Sequence, residues 1–436
     1  MKWLAYLSAF MTTRYRRFQT REALLAYQER YIKKHLTYVE RFSPFFKQGI
    51  DLTQVSMDKS FMMAHFDALN TVGIKKADAF NLAIDSERSR HFSPTINSIS
   101  VGLSSGTSGH RGIFLTSPEE QATWAGTILA KLLPRKPLLG HQLAFFLRAN
   151  NNLYEQVNSP FLTLHYYDMS QAITSHLDSL NQLQPSILVA PASVLCQLAS
   201  FQETGDLTIA PQKIISVAEV LEVKDRDYIA SVFKQDIIHQ IYQATEGFLG
   251  YTCDQGRIHL NEDGIRFEKE YIDDKRFYPI ITDFKRKSQP FLRYRLNDIL
   301  VDSQEECPCG SVLQVIEKIE GRSDDIFYFE TEQDETISIY PDFIRRCLLF
   351  IDGVREYQVS QLSKQVLEIA TNELTEKQQA EIISEFQNLF KTYHIKPVTL
   401  TFTPYQLQKD QKLKRICQKM PISEQHLGDY YEKIND

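Results

Sequence analysis

A chain of 436 residues is long enough for two domains, each with its own core. Its net charge of −6, without any Lys/Arg-rich run, argues against nucleic acid as a partner. No secretory leader is visible, so a cytoplasmic setting is expected, and thiols or metal ligands rather than disulfides for the six cysteines.

The chain opens with an apolar stretch, Trp3 to Phe10, followed by Arg14, Arg16 and Arg17. It is too short to span a bilayer and has no small-residue cleavage site. An amphipathic helix packed on the body is expected, with a peripheral membrane contact as the alternative. Residues 18–47 read as helix, because Leu24, Leu25, Tyr27, Tyr31, His35, Tyr38 and Val39 recur at roughly helical spacing. Two short β-like pieces, Ile99-Ser100-Val101 and Ile113-Phe114-Leu115, flank Ser104-Ser105-Gly106-Thr107-Ser108-Gly109. Glycines let backbone N–H groups approach an anion and the hydroxyls add donors, which is the make-up of a phosphate-binding loop. No Lys-Ser or Lys-Thr follows the last glycine, so it is not a Walker loop. A Ser/Gly turn without a ligand is the alternative.

Residues 118–134 form the next predicted helix, with Ser117 as cap, Pro118 in the first turn, and Glu119 and Glu120 at the positive end. Buried strands are expected at Leu143–Leu147, Ile187–Val189 and Lys213–Val217, and helices at Leu177–Leu183, Val194–Phe201 and Asp225–Phe233. That alternation predicts a layered α/β domain. From about Gly250 turn signals multiply: Asp254-Gln255-Gly256, Asn261-Glu262-Asp263-Gly264 and Asp273-Asp274-Lys275 predict antiparallel hairpins. After Asp325, strands are expected at Val354–Val359, Val366–Ala370 and Val398–Phe402, with a helix over Thr375–Tyr393. The expected fold class is therefore α/β. A large multi-layer N-terminal domain with mixed sheets covers residues 1–323, and a small mobile α+β C-terminal domain, residues 324–436, follows a hinge near Asp324. One continuous domain is the alternative.

Three further motifs follow the Ser104–Gly109 loop in order: Tyr242-Gln243-Ala244-Thr245-Glu246, Tyr294-Arg295-Leu296-Asn297-Asp298 and Gly321-Arg322-Ser323-Asp324-Asp325. The set resembles the motifs of the adenylate-forming superfamily, which comprises acyl-CoA ligases, aryl-acid adenylation domains and luciferases. Within it, Cys307-Pro308-Cys309-Gly310 and Ser43-Pro44-Phe45-Phe46 are similar to the phenylacetate–CoA ligase group.

The resemblance implies an ATP-dependent ligase. It would join AMP to a carboxylic acid, aromatic acids among the candidates, release pyrophosphate and pass the acyl group to a thiol of CoA or of carrier-protein pantetheine. There is little covalent work in the first step, so positioning and electrostatics carry the rate. The resemblance places Ser104, Ser105, Gly106, Thr107, Ser108 and Gly109 on the β- and γ-phosphates. Arg111 stands where relatives have Lys, with a solvated surface Arg as the alternative. Thr245 is implied at the α-phosphate and Glu246 at Mg²⁺, for which one carboxylate beside phosphate oxygens suffices. Tyr242 is implied against the adenine, Asp298 and Arg322 at the ribose, and Glu219, after Ala218, in the nucleotide and acid pocket. In Lys412-Leu413-Lys414-Arg415, Lys412 is the implied catalytic lysine, bridging the carboxylate and α-phosphate oxygens; Lys409 and Lys414 are its rivals.

Cys253 and His259 flank one turn, and Cys307 and Cys309 share another. Together they make a closed Cys₃His set, as in structural zinc sites, and the phenylacetate-ligase likeness supports zinc there. A tight turn with free thiols is the alternative. Cys196, Cys347 and Cys417 read as core.

The chain also departs from the family pattern. Gln411 replaces a usual Gly, and Leu296-Asn297 replaces Thr-Gly, which Asn tolerates because it can take glycine's unusual backbone conformation. Ile326–Glu332 occupies the place of a glycine-bearing loop, and no glycine occurs between Gly321 and Gly353. That puts the thioester step in doubt. Transfer of AMP to a hydroxyl on a cofactor-like substrate and a degenerate, non-catalytic member stay open, as does a homodimer.

Overall fold

The computed structural model describes residues 2–47, 49–89, 91, 94–103, 112–134, 139–147, 158, 161–169, 171–349, 351–354, 356–406 and 414–420. The chain divides into two compact units, Met1–Leu296 with Leu300–Ile319, and Asn297–Ile299 with Glu320–Asp436.

The first unit is organised on a sheet of twelve described strands, two of which, Asp298–Asp302 and Val315–Arg322, have one end assigned to the second unit. From one edge the order is Ile265–Tyr271, Arg276–Asp283, Asp298–Asp302, Val315–Arg322, Ile258–Leu260, Gly247–Thr252, Ile238–Ala244, Lys213–Ser216, Ile187–Ala190, His141–Leu147 and Leu162–Asp168, while Phe291–Arg295 pairs with Arg276–Asp283 off this path. The last five strands are mutually parallel. Pairing turns antiparallel between Ile238–Ala244 and Gly247–Thr252 and stays so through the hairpins beyond. The expected change of texture is therefore real and begins at Gly247.

Successive residues of a strand point to opposite faces. Leu143, Ile187, Val189 and Ile215 accordingly join one apolar layer with the helix Pro118–Leu132. Ala144, Phe146, Leu188 and Ile214 join another, with the helices Ala192–Thr204 and Val223–Phe233. Coverage of both faces is what lets parallel strands read as continuous apolar runs.

The helix Pro118–Leu132 has a complete capping box, Ser117 with Glu120. It stops short of 134 because a residue before proline avoids helical ψ; Leu133 sits at ψ 136° ahead of Pro134. The expected N-terminal helix forms over Lys2–Tyr15 and buries Tyr6 and Phe10 in the layer of Pro118–Leu132. A Cβ on Gly126 would stand 2.3 Å from the Tyr6 carbonyl oxygen, so only glycine permits this approach. Arg14 donates to the carbonyls of Ala130, Leu133 and Pro134 at 3.0, 2.8 and 2.8 Å, satisfying the end of that helix. The second predicted helix spans Arg21–Phe42.

In the second unit, Thr399–Pro404, Val366–Thr371, Tyr357–Ser363 and Ile416–Gln418 form a four-stranded sheet in that order. The helices Pro341–Leu349 and Glu376–Thr392 pack Ile344, Leu348, Ile382 and Phe386 into its core. Thr375 and Gln378 make the capping box of the longer helix. The strand expected from Val354 starts at Tyr357, because Val354 closes a turn before it, its N–H donating to the Ile351 carbonyl at 3.4 Å. The hairpin Phe327–Glu330 with Thr336–Ile339, the helix Pro341–Leu349 and the strands Ile416–Gln418 and Leu162–Asp168 were not expected.

Candidate active-site residues and a thiol–imidazole cluster

Thr245 and Glu246 form the two-residue connection between the strands Ile238–Ala244 and Gly247–Thr252. Both oxygens of the Glu246 carboxylate are held. Tyr294 donates its hydroxyl to Oε1 at 3.0 Å, and Thr245 donates to Oε2 at 3.0 Å. Arg286 fixes the backbone of the turn, donating to the Glu246 carbonyl at 3.3 Å and to the Leu115 carbonyl at 3.2 Å. Leu115 lies on the strand Ile113–Thr116, so one guanidinium ties the turn to the strand that leaves the Ser/Gly loop.

Gln289 reinforces that link. It accepts from the Leu115 N–H at 2.9 Å and donates to the Ile113 carbonyl at 3.0 Å. Glu120 accepts from the Ser288 N–H at 2.8 Å and the Ser288 hydroxyl at 2.6 Å. Burial pushes the Glu120 carboxyl up, but Arg286, the Ser288 hydroxyl and the Ser117 and Ser288 N–H groups outweigh it and hold the group below its ordinary value. No motif in the sequence marks Arg286, Gln289 or Glu120 as a site residue. The capping glutamate was visible there; its attachment to Arg286 and Ser288 was not, because those partners are about 170 positions away.

Tyr242 is 5% exposed and packs in the core of the antiparallel half with Leu249 and Leu260. Glu219 follows Ala218, whose φ of 66° is left-handed. The Glu219 carboxylate accepts from the Ser193 N–H at 3.0 Å, in the first turn of Ala192–Thr204, where a negative group meets the positive end of the helix.

Asp298 and Arg322 come together within the second unit. The Arg322 Nε donates to Asp298 Oδ1 at 3.2 Å, and the Ser323 N–H donates to the Asn297 carbonyl at 2.7 Å. Asn297 does not adopt the left-handed conformation expected of a glycine replacement; the nearby left-handed residues are Arg293 at φ 43° and Gly321 at φ 151°. Lys414 Nζ lies 2.5 Å from Asp325 Oδ1, also within this unit. Ser104 to Gly109, Arg111, Lys409 and Lys412 lie outside the described residues.

Cys253, His259, Cys307 and Cys309 converge as expected, with all four ligand atoms within 4.8 Å of one another. Cys253 follows the strand Gly247–Thr252, His259 sits in Ile258–Leu260, and both cysteine turns rely on a left-handed glycine, Gly256 at φ 76° and Gly310 at φ 72°. The Cys253 and Cys307 sulfurs are 3.6 Å apart, and Cys309 Sγ is 3.4 Å from His259 Nε2. The Leu313 carbonyl, 3.2 Å from His259 Nδ1, can only accept. Nδ1 therefore carries the proton and Nε2 offers its lone pair to the cluster. Three soft sulfurs and one imidazole, four donors with no position left open, suit a tetrahedral ion with S–metal distances of about 2.3 Å, for which sulfur pairs stand roughly 3.8 Å apart. All six cysteines are free of disulfides.

No family model matches the chain. Protein CapK of Staphylococcus aureus is 27% identical over 165 residues, which cover 37% of this chain and 36% of CapK. The chain thus matches about a third of that relative's length. Solved structures match far more of it. A 2-hydroxyisobutyryl-CoA ligase in the postadenylation state, bound to R3-HIB-AMP, aligns at TM-score 0.63 and 14% identity over 95% of this chain and 91% of the other. The amide bond synthetase McbA from Marinactinospora thermotolerans aligns at TM-score 0.54 and 10% identity over 75% and 68%. The anthranilate CoA ligase AuaEII, with anthranoyl-AMP, aligns at TM-score 0.53 and 12% identity over 72% and 66%. The likeness is one of fold: this chain has the fold of the adenylate-forming ligases.

Proposed function

From that fold as premise, we propose that the protein activates a carboxylic acid with ATP, forming acyl-AMP and pyrophosphate, and passes the acyl group to a thiol. The observation that carries this reading is the meeting of Asp298 and Arg322 at 3.2 Å from motifs 24 positions apart. A buried carboxylate beside a guanidinium presents acceptors and donors to a vicinal diol, as a nucleotide ribose requires.

In this reading Glu246 serves Mg²⁺. Among the described residues its two oxygens are held by hydroxyl donors, Thr245 and Tyr294, which leaves lone pairs for a hard cation. Mg²⁺ held by Glu246 would neutralise phosphate charge. Thr245, freed from Glu246, donates to the α-phosphate. Ser104 to Gly109 and Arg111 hold the outer phosphates, and Tyr242 and Glu219 border the nucleotide. Lys412 supplies the cation between the reacting oxygens; Lys414 is engaged by Asp325, which favours Lys412 over it. The small domain, hinged near Asp324, delivers that lysine.

Cys253, His259, Cys307 and Cys309 hold a structural zinc ion, an arrangement in keeping with the phenylacetate–CoA ligase group. An aromatic acid fits that likeness, and the acceptor thiol is CoA or a carrier pantetheine.

The test is acid-dependent pyrophosphate exchange into ATP across a panel of acids. One acid should support exchange in the native protein, and Asp298→Asn should raise the KM for ATP about tenfold or more, as expected when a carboxylate leaves a diol unpaired. No exchange with any acid, together with AMP transfer to a hydroxyl compound, would replace this reading by nucleotidylation.

A further inference from the structure

The first 47 residues carry a charge pattern for which adenylation has no use. Residues 14–47 hold nine Lys or Arg against three Glu, while the rest of the chain holds 40 basic and 52 acidic residues. The bases are interleaved at helical spacing, so they form no run in the sequence. At 3.6 residues per turn, Tyr27, Tyr31, Tyr38 and Phe42 of the helix Arg21–Phe42 share one flank with Arg30, Lys34 and Arg41. Glu22, Glu29 and Glu40 fall on the opposite flank, with the buried face of Leu24, Ile32 and Val39 between them. Along the first flank, cations lie over rings: Arg16 over Tyr27 at 4.7 Å, Arg30 over Tyr31 at 5.1 Å and Arg41 over Phe42 at 5.2 Å.

The helix Lys2–Tyr15 adds an apolar stripe. Its Tyr6 and Phe10 are buried against the body. Leu4, Ser8, Met11 and Tyr15, at i, i+4, i+7 and i+11, face out, with Leu4 69%, Met11 48% and Tyr15 60% exposed. A helix apolar on both sides is normally covered on both. Arg16, just past its end, donates to the Tyr27 hydroxyl at 2.6 Å and joins the stripe to the cationic flank.

We propose that this N-terminal surface docks the protein on an anionic lipid bilayer. Leu4, Met11 and Tyr15 enter the headgroup layer, and Arg17, Arg30, Lys34 and Arg41 meet the lipid phosphates. Apolar side chains along one helix face, flanked by Arg and Tyr, are the chemistry of a helix lying in the interface. A second copy of the chain fits poorly, because a two-fold contact would set like charges against each other. No described helix is long and apolar enough to cross a membrane, so the contact is peripheral.

Sedimentation of the full chain with vesicles tests this. The protein should pellet with phosphatidylcholine vesicles containing phosphatidylglycerol, stay in solution with phosphatidylcholine alone, and be released by high salt. Arg17→Glu/Arg30→Glu/Lys34→Glu should weaken binding roughly tenfold or more. Leu4→Ser/Met11→Ser should weaken it several-fold while keeping the salt dependence. Unchanged melting temperatures show that the variants fold; if the triple variant does not, Arg17→Glu alone, outside either helix, should still weaken binding. Native protein that ignores both vesicles, or charge reversal without effect, overturns the proposal. If the native protein ignores vesicles but binds an acidic acyl carrier protein in a way that charge reversal abolishes, the surface serves an acidic protein partner instead.

Discussion

In the parallel half of the large sheet, Leu188 and Ile214 face one apolar layer while Ile187 and Ile215 face another. The antiparallel half shares the task between an apolar layer and directional joints. Arg21 grips both oxygens of Glu262 at 2.5 and 2.6 Å, Lys131 lies 3.6 Å from Asp263, and Cys253, His259, Cys307 and Cys309 close on one another. Strands covered on both faces need only matching volume. Hairpins whose ends run through polar turns need partners of stated geometry. The candidate chemistry gathers in the second kind of structure, because turns such as Thr245-Glu246 can present polar groups that a doubly covered strand cannot afford.

The strongest test of this contrast is the thiol–imidazole cluster. Cys307→Ser, or prolonged chelation, should cost more than about 5 kcal/mol if zinc is bound, since metal affinity there is folding energy. Metal analysis and thermal melts check it. One zinc per native chain is expected, and a chain purified without chelator that holds none would show the cluster to be free thiols and an imidazole.

In the parallel half, where burial alone acts, the matching change is Leu188→Ala. That side chain is fully buried, and the loss should be about 2–5 kcal/mol, with zinc content unchanged. A variant that lost zinc as well would show the two halves to be one cooperative element.

Acid should weaken the antiparallel half through His35, which lies on the buried face of the helix Arg21–Phe42. Neither ring nitrogen has a hydrogen-bond partner among the described residues. Burial, then the nearby Lys287, lowers its pKa from 6.5 to about 4. The unfolded chain therefore takes up this proton first as pH falls. His35 costs nothing above pH 6.5, and its penalty grows as pH drops to about 4, reaching about 3 kcal/mol. His35→Leu should remove that part of the pH dependence in urea titrations; identical slopes in both proteins would place the acid sensitivity elsewhere.

The smallest expected effect lies just past the C-terminal end of the parallel strand Lys213–Ser216. Ala218 holds a left-handed φ of 66° on the surface. Ala218→Gly should add about 1 kcal/mol of stability by relieving it. A loss would mean that the methyl group packs usefully.

Local pattern carried much of the architecture. Ser117-Pro118-Glu119-Glu120 and Thr375-Glu376 announce their helices, because a cap is made within one turn. Apolar runs marked the parallel strands Ile187–Ala190 and Lys213–Ser216, which are buried throughout. The edge strand Leu162–Asp168 escaped notice because, half-exposed and carrying Thr163, His165 and Asp168, it lacks such a run.

For the candidate site, the residue types at Glu246, Asp298, Arg322 and the four metal-type ligands were legible in motifs and spacings. Their amino-acid sequence determined which groups are available and, through turn glycines at 256 and 310, where the thiols can bend inward. Only the tertiary structure decided who meets whom: Tyr294 with Glu246, Arg286 with the Glu246 and Leu115 carbonyls, Leu313 with His259. Those contacts span about 40 to 170 positions, and no local propensity encodes them. They form because the packed sheet brings buried donors to buried acceptors, and a polar group left unpaired in that interior would cost more than the local conformation needed to satisfy it.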